Sequence, residues 1–253
     1  MYELFPVADP LPWPYTGILW PIATTLAAYL VFVLKLGPMW MAIREPFKLR
    51  GVLKVYNISQ IAFNTMLLIG MIHMVFWHKI YDFSCMRILP FDHEMKDSER
   101  IISYLYYINK IFDLLDTVFF VLRKSFKQVT NLHLIHHVYM AGAAYFFQRL
   151  YGYGGHFAWM EILNTLTHVV MYTYYYLASQ NPNVKQSIWW KQYVTIIQMV
   201  QFILMFGHSL WTFLQPDCDV PLPMMMVVMV MSGLMFVMFG NFYRTTYLKK
   251  KNT

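Results

Sequence analysis

The sequence predicts an all-helical integral membrane protein with seven transmembrane helices, and three observations predict it. Of 253 residues, 58% are hydrophobic and only 13% are charged, where a soluble domain of this size carries about 25% charged residues. The charges fall in short clusters. Between them run apolar stretches of roughly 20 residues, the length that crosses a ~30 Å hydrocarbon core.

The apolar stretches place spans at 16–36, 52–78, 101–121, 130–150, 156–178, 190–213 and 222–245. The second is long enough to tilt or protrude. The fourth and fifth carry more polar residues than the rest. No stretch reads as a linker or a low-complexity tract, so residues 1–253 are expected to form one membrane domain. Its N-terminal tail is short, and its C-terminal tail covers 246–253.

Lysine and arginine placement orients the spans. None precedes Lys35, and the N-terminal tail carries Glu3 and Asp9. No basic segment leads the first span, so no cleavable signal peptide is expected. Arg44, Lys48, Arg50 and Lys54 mark the first loop as cytosolic. Seven spans then put Arg123, Lys124 and Lys127, Lys185 and Lys191, and Arg244 with the terminal lysines on the same side. The mixed-charge stretch 79–100 and the Asp217–Asp219 loop fall on the other side. An N-outside, C-inside arrangement satisfies every loop. The +7 net charge follows from this topology, and no nucleic-acid signature accompanies it. A basic cytosolic mouth would also attract an anionic, phosphorylated substrate.

Cys85 and Cys218 are the two cysteines, and both fall in non-cytosolic loops. An oxidising lumen permits a disulfide there, with two free loop thiols as the alternative. Lys249, Lys250 and Lys251 stand at the fifth, fourth and third positions from the end. They match a dilysine endoplasmic reticulum retrieval pattern; a plain basic anchor is the alternative. Asn57-Ile58-Ser59 is formally a glycosylation sequon, but it lies inside a span and is expected to be silent.

Polar residues interrupt four of the spans. The third contains Lys110, Asp113, Asp116 and Thr117, with Lys110, Asp113 and Thr117 near one helical face. Three charges at a helix centre would cost roughly 8–10 kcal/mol if unpaired. Lys110 and Asp113, one turn apart, can offset part of that cost. In the fourth span His133, His136 and His137 stand at i, i+3 and i+4, so their imidazoles converge. Metal ligation and imidazole nucleophile-and-base chemistry are both open to such a cluster. The fifth offers Asn164, then His168, Met171, Tyr172 and Tyr175 on one face. The sixth carries Thr195, Gln198 and Gln201, a row that could serve interhelical hydrogen bonding alone. All four rows are expected in the cytosolic half or near the midplane, which describes a site open to the cytosol.

Taken in order, these motifs resemble the very-long-chain fatty acid elongases. Lys110 to Thr117 is similar to that family's Lys-x-x-Glu-x-x-Asp-Thr run, and His133 to His137 to its His-x-x-His-His box. His168 to Tyr175 and Thr195 to Gln201 are similar to its His-x-x-Met-Tyr-x-Tyr-Tyr and Thr-x-x-Gln-x-x-Gln runs. Arg44-Glu45-Pro46-Phe47, Tyr56-Asn57 and Asn241-Phe242-Tyr243 also look familial, so the resemblance spans nearly the whole chain. Asp113 departs from the pattern, since the family usually has Glu there. Tyr176 replaces a residue that is small in many members.

The resemblance implies a 3-oxoacyl-CoA synthase of the endoplasmic reticulum membrane, N-terminus lumenal and C-terminus cytosolic. Long-chain acyl-CoA and malonyl-CoA would give a 3-oxoacyl-CoA two carbons longer, with release of carbon dioxide and CoA. It implies six of seven helices enclosing an acyl tunnel open to the cytosol, and a lumenal disulfide corresponding to Cys85–Cys218. Both cysteines are expected on the lumenal side, which removes thiolate catalysis and leaves imidazole. The resemblance makes His136 the nucleophile that forms an acyl-imidazole. His133, His137, Asn164 and His168 would polarise thioester oxygens or shuttle protons. Lys110, Asp113 and Asp116 would orient the imidazoles or bind the substrate head. Thr117, Tyr172, Tyr175, Thr195, Gln198 and Gln201 would line the substrate site. No cofactor and no metal are expected. Expected partners are the two substrates, membrane lipid, the reductases and dehydratase of the elongation cycle, and a second copy of the chain in a homodimer.

A di-iron lipid desaturase or hydroxylase is the alternative. It needs several histidine boxes at one depth, whereas here His73, His78, His93, His156 and His208 are scattered singly along the sequence. A seven-helix receptor does not call for a charged, histidine-rich cytosolic cavity. A transporter typically breaks its helices with Gly or Pro at the midplane, and the polar spans here have no such break.

Overall fold

A proline where a helix should end shows how the chain builds long helices. In the computed structural model, which describes residues 8–10 and 13–248, helix α1 (Trp20–Val31) opens on Pro21 in its first turn, where the missing N–H is no loss. Sequence reasoning ends this span at 36, just before Gly37-Pro38. The helix instead continues through a π-helical turn, Phe32–Leu36, into α2 (Gly37–Ala42). There the Gly37 N–H donates to the Phe32 carbonyl, five residues back. The register slip lets Pro38 enter as an early residue of a new helical stretch. Gly37 also sits where a Cβ would lie 2.7 Å from Val121 Cγ1, so only glycine lets the two backbones approach.

Helix α3 (Arg50–Ile72) likewise runs on through a π-helical turn, His73–Trp77. Helix α4 (Lys96–Asp113) starts on an acidic first turn with Asp97 and Glu99, which suits the positive end of the helix dipole. It breaks at Leu114 and resumes as α5 (Leu115–Leu122). A short 3₁₀ turn, Phe126–Gln128, leads to α6 (Asn131–Tyr151), then α7 (His156–Gln180), the single turn α8 (Pro182–Gln186), α9 (Ile188–Phe213) and α10 (Leu222–Tyr243), which ends in a π-helical turn Arg244–Leu248. Among the described residues there is no strand, only an isolated bridge between Asp82 and Cys85. Four stretches are long and apolar enough to cross a membrane: Trp20–Ala42, Arg50–Trp77, Ile188–Phe213 and Leu222–Leu248. The other three expected spans coincide with α4 and α5, α6, and α7, whose polar side chains lower their hydropathy. Lys249, Lys250 and Lys251 lie outside the described residues.

The helices gather into two compact units, one holding residues up to 49 with 103–153 and the other 50–102 with the residues from 154 on. In the first unit α1 packs on α6 and α2 on α5. Tyr29, Val33, Met41, Leu114, Val121 and Leu134 make its apolar core. The segment before α1 is pinned to the end of α6. Tyr153 Oη accepts from the Trp13 N–H at 3.2 Å, and Arg149 donates to the Thr16 and Gly17 carbonyls. The loop after α2 is tied to α5 by the Phe47 N–H, which donates to the Leu122 carbonyl at 3.0 Å.

In the second unit α7 packs along α3 and α9, and α9 along α10. Its loops are ordered by chemistry that the mixed charges of 79–100 do not announce. Glu99 is buried, and its Oε2 receives Lys96 Nζ at 2.7 Å. Its Oε1 accepts the Leu89 N–H at 3.2 Å and the Tyr81 hydroxyl. Tyr81 Oη in turn accepts the Gly155 N–H at 3.0 Å. Burial raises the Glu99 carboxyl above the ordinary carboxylate range, against the lowering pull of Lys96. Burial, then the charge of Glu99, raises the Tyr81 phenol. Gly154, at φ +76°, leaves no space for a Cβ beside Tyr81 Oη and Glu99 Oε1. Cys85 and Cys218 form a disulfide with Cα atoms 5.6 Å apart, and Arg87 donates to the Asp217 carbonyl at 2.8 Å.

Glu99→Ala strips Lys96 of its buried carboxylate and leaves the Leu89 N–H without its acceptor. We expect it to cost about 3–5 kcal/mol, as breaking a buried ion pair does. Thermal unfolding in detergent, with trypsin cleavage at Arg87 as a local readout, checks this; an unshifted transition would refute it.

Candidate functional site

The first unit carries the histidine cluster. Thr130, in an extended conformation, caps α6 by accepting the His133 N–H at 3.2 Å. The cap starts the helix so that His133 falls in its first turn and His136 and His137 one turn on. The His133 and His137 ring centroids are 4.2 Å apart, and those of His136 and His137 are 5.4 Å apart. His137 is buried and touches both of the others. Phe120 covers His133 from α5 at 5.3 Å.

The charged motif lies at the α4–α5 break. Lys110 Nζ and Asp113 Oδ2 are 2.8 Å apart, with both side chains almost wholly buried. Nζ also stands 4.8 Å from the centre of the Tyr106 ring, a cation–π contact. A lysine in the last turn of a helix is favoured by the dipole, and an aspartate there is not; the pair offsets the second effect with the first. One turn beyond the break, Thr117 is fully buried. Its hydroxyl is 2.8 Å from His133 Nε2 and 2.6 Å from Tyr29 Oη. Thr117, His133, His136 and His137 are thus joined by direct contacts, Lys110 and Asp113 pair at the end of α4, and the partly exposed Asp116 lies beside Thr117 on α5.

The second unit carries the remaining motifs. Asn164, His168 and Tyr172 are buried along α7. Tyr172 lies edge-on to His168 at 5.7 Å and to Tyr56 of α3 at 5.9 Å, and the two tyrosine hydroxyls are 3.4 Å apart. Gln60 donates to Tyr56 Oη at 3.2 Å, and Asn64 donates to the Gln60 carbonyl at 2.8 Å. Tyr175 does not join this buried row: it is 38% exposed and touches Tyr172 only by an edge contact at 5.9 Å. The α9 row is turned inward on its own neighbours. The Thr195 hydroxyl donates to the Lys191 carbonyl at 2.9 Å. Gln198 reaches Met171 Sδ at 3.7 Å, and Gln201 reaches Met205 Sδ at 3.6 Å.

Two groups escape a reading of the sequence. Tyr56, Gln60 and Asn64 stand at i, i+4 and i+8 in an apolar span, so helical periodicity does announce them. Tyr29 is a lone tyrosine in an apolar run and gives no such signal. Nor are four of the other histidines single in space. His156 stacks on His208 at 4.9 Å, and His73 meets His78 at 4.5 Å. The π-helical turn explains the second pair, because i and i+5 lie above one another there. Among the described residues no three His, Cys, Asp or Glu side chains are grouped to hold a metal ion.

Fold and polar groups define a helical protein with apolar membrane-length helices and a buried imidazole cluster backed by an ion pair. The model of the GNS1/SUR4 (ELO) family matches residues 14–253. Very long chain fatty acid elongase F of Drosophila melanogaster is 44% identical over 246 residues, covering 97% of this chain and 96% of its own. Very long chain fatty acid elongase 7 of the same species is 34% identical, over 94% of this chain and 72% of its own. Very long chain fatty acid elongase 1 of Mus musculus is 33% identical, over 99% and 90%. The chain belongs to the GNS1/SUR4 family, the family that its four ordered motifs resemble.

Lys110→Met leaves the Asp113 carboxylate without its buried cation, and we expect a loss of about 3–5 kcal/mol. Lys110→Met combined with Asp113→Leu removes both charges and should recover most of it. Thermal unfolding of the two variants checks the pairing; a double variant as unstable as the single one would refute it.

Proposed function

We propose that this chain is the condensing enzyme of very long chain fatty acid elongation. It joins a long-chain acyl-CoA to malonyl-CoA and releases carbon dioxide, CoA and a 3-oxoacyl-CoA two carbons longer. Family membership and the elongase names of the relatives support the reaction class. The observation that carries the chemistry is the fate of the thiols. The sequence holds two cysteines, and each is bonded to the other. No thiolate is left to carry an acyl group, and imidazole is the remaining good nucleophile at neutral pH.

In this reading a neutral His136 nitrogen attacks the acyl thioester carbon, the carbon–sulfur bond breaks, and CoA leaves as the thiol with the imidazole proton. Malonyl-CoA then loses carbon dioxide. The electron pair freed at its α-carbon attacks the acyl carbon, forming the new carbon–carbon bond and expelling imidazole, which takes up a proton. The Lys110–Asp113 pair biases His136 electrostatically, and His133 and His137 are its neighbours for proton and oxyanion work. The family motifs assign Asn164 and His168 to polarising a thioester oxygen. No cofactor enters these steps.

The same proposal covers the setting. Seven spans run from a lumenal N-terminus to a cytosolic C-terminus in the endoplasmic reticulum membrane, and six of them surround the acyl chain. The terminal lysines serve retrieval. The reductases and dehydratase that process a 3-oxoacyl-CoA are the partners.

Purified protein incubated with an acyl-CoA panel and no malonyl-CoA should gain one acyl mass on the peptide holding His136, readable by peptide mass spectrometry. His136→Ala should lose both the adduct and condensation at unchanged expression. An adduct elsewhere, full activity in that variant, or stoichiometric iron in the purified protein would overturn the proposal.

A further inference from the structure

The hydroxyls of Tyr29 and Thr117 and the imidazole of His133 form a chain across α1, α5 and α6, with links of 2.6 and 2.8 Å. Tyr29 and Thr117 are buried, away from bulk solvent. The direction of the chain follows from counting protons. A tyrosine hydroxyl has one proton to give, a threonine hydroxyl one, and a neutral imidazole one donor nitrogen and one acceptor nitrogen. Among the described residues Thr117 is the one hydrogen-bond partner of Tyr29 Oη. If Thr117 donated to Tyr29, the phenol proton would have no acceptor, a costly outcome for a buried donor. The arrangement that satisfies every proton has Tyr29 donating to Thr117 and Thr117 donating to His133 Nε2.

We propose that Tyr29 is a positioning residue that, through Thr117, holds His133 as the neutral tautomer with its proton on Nδ1. Its bearing on catalysis rests on the elongase reading above. The consequence divides the labour within the cluster. Nε2 of His133 is occupied as an acceptor and is withheld from base catalysis, while the Nδ1–H across the ring is a permanent donor. Protonating His133 would require both hydrogen bonds to reverse and would strand the phenol proton. His133 therefore serves as an oxyanion donor, and the proton shed during acyl transfer to His136 goes elsewhere. Phe120 on one side and His137 on the other hold the ring in the plane that this chain sets.

The test uses full-length protein in lipid nanodiscs with ¹⁵N-labelled histidine. His133→Gln identifies the His133 resonances, and their chemical shifts report which nitrogen is protonated. The wild type should show Nδ1 protonated and Nε2 bare. Tyr29→Phe and Thr117→Val should each convert that signal to a mixture, and Thr117→Ser should restore it. In steady-state condensation Tyr29→Phe should lower kcat about tenfold, the low end of what outer partners of functional imidazoles contribute, with KM little changed. Tyr29→Phe added to Thr117→Val should lower kcat no further, because both act through one chain. A wild-type Nε2–H tautomer, or a Tyr29→Phe variant with unchanged spectrum and kcat, overturns the proposal. A wild type that shows the tautomer but does not condense acyl-CoA with malonyl-CoA overturns the elongase reading and leaves the hydrogen-bond chain standing.

Discussion

A charge or hydroxyl among apolar helices has to be answered by another protein group, because hydrocarbon offers none. That constraint organises this molecule. Lys110 and Asp113 answer one another across one turn. Thr117 is answered twice, by Tyr29 and by His133. Outside the spans the same demand falls on the buried Glu99, which is answered by Lys96, Tyr81 and the Leu89 N–H. The Lys110–Asp113 pair lies within α4, but the Thr117 and Glu99 sets join elements that apolar packing alone would hold loosely, since lipid tails and leucine side chains are equally oily. Polar groups here specify where the helices meet, and the apolar core around Val33, Met41 and Val121 fills the space that remains.

The same constraint explains what a reading of the sequence reaches. Apolar run lengths put the stretches 130–150, 156–178 and 222–245 within a few residues of α6, α7 and α10. The spacing of His133, His136 and His137 announced their convergence, because i, i+3 and i+4 need only local helical geometry. Local rules failed where two distant groups meet. Tyr29 lies 88 residues from Thr117, and nothing in its own neighbourhood distinguishes it from a packing aromatic. The π-helical turn at Phe32–Leu36 is legible only once Gly37 is seen pressed against Val121. The buried Lys96–Glu99 pair in the mixed-charge stretch 79–100 is likewise invisible to local rules, because burial depends on Tyr81, Leu89 and Gly155 folding around it.

Cysteine pairing links the loops to the chemistry. The Cys85–Cys218 bridge closes a separation of 133 residues, so its first effect is to restrict the unfolded chain. Its second effect is chemical: it removes the only two thiols in the sequence from nucleophilic use. A membrane enzyme that must carry an acyl group is then left with oxygen or nitrogen nucleophiles. A serine or threonine hydroxyl needs an adjacent base to act as a nucleophile. Imidazole needs only to be neutral, which burial among apolar side chains favours.

Asp113 brings these strands together. The family pattern places a glutamate there, one methylene longer, and the shorter side chain would be a handicap if its carboxylate had to reach a substrate. In this structure it reaches Lys110 one turn earlier on its own helix, at 2.8 Å, a distance that aspartate spans without stretching. The helix breaks at Leu114, immediately after it, so the carboxylate sits at a helix end where the dipole alone would disfavour it. Its stability there depends on Lys110, and the substitution is tolerated because the partner is local. A residue whose job is to complete an ion pair can lose a methylene; a residue whose job is to touch the acyl donor cannot do so without moving the backbone. The geometry therefore puts Asp113 with Lys110 as a local ion pair at the end of α4, a role that a shorter carboxylate side chain fills.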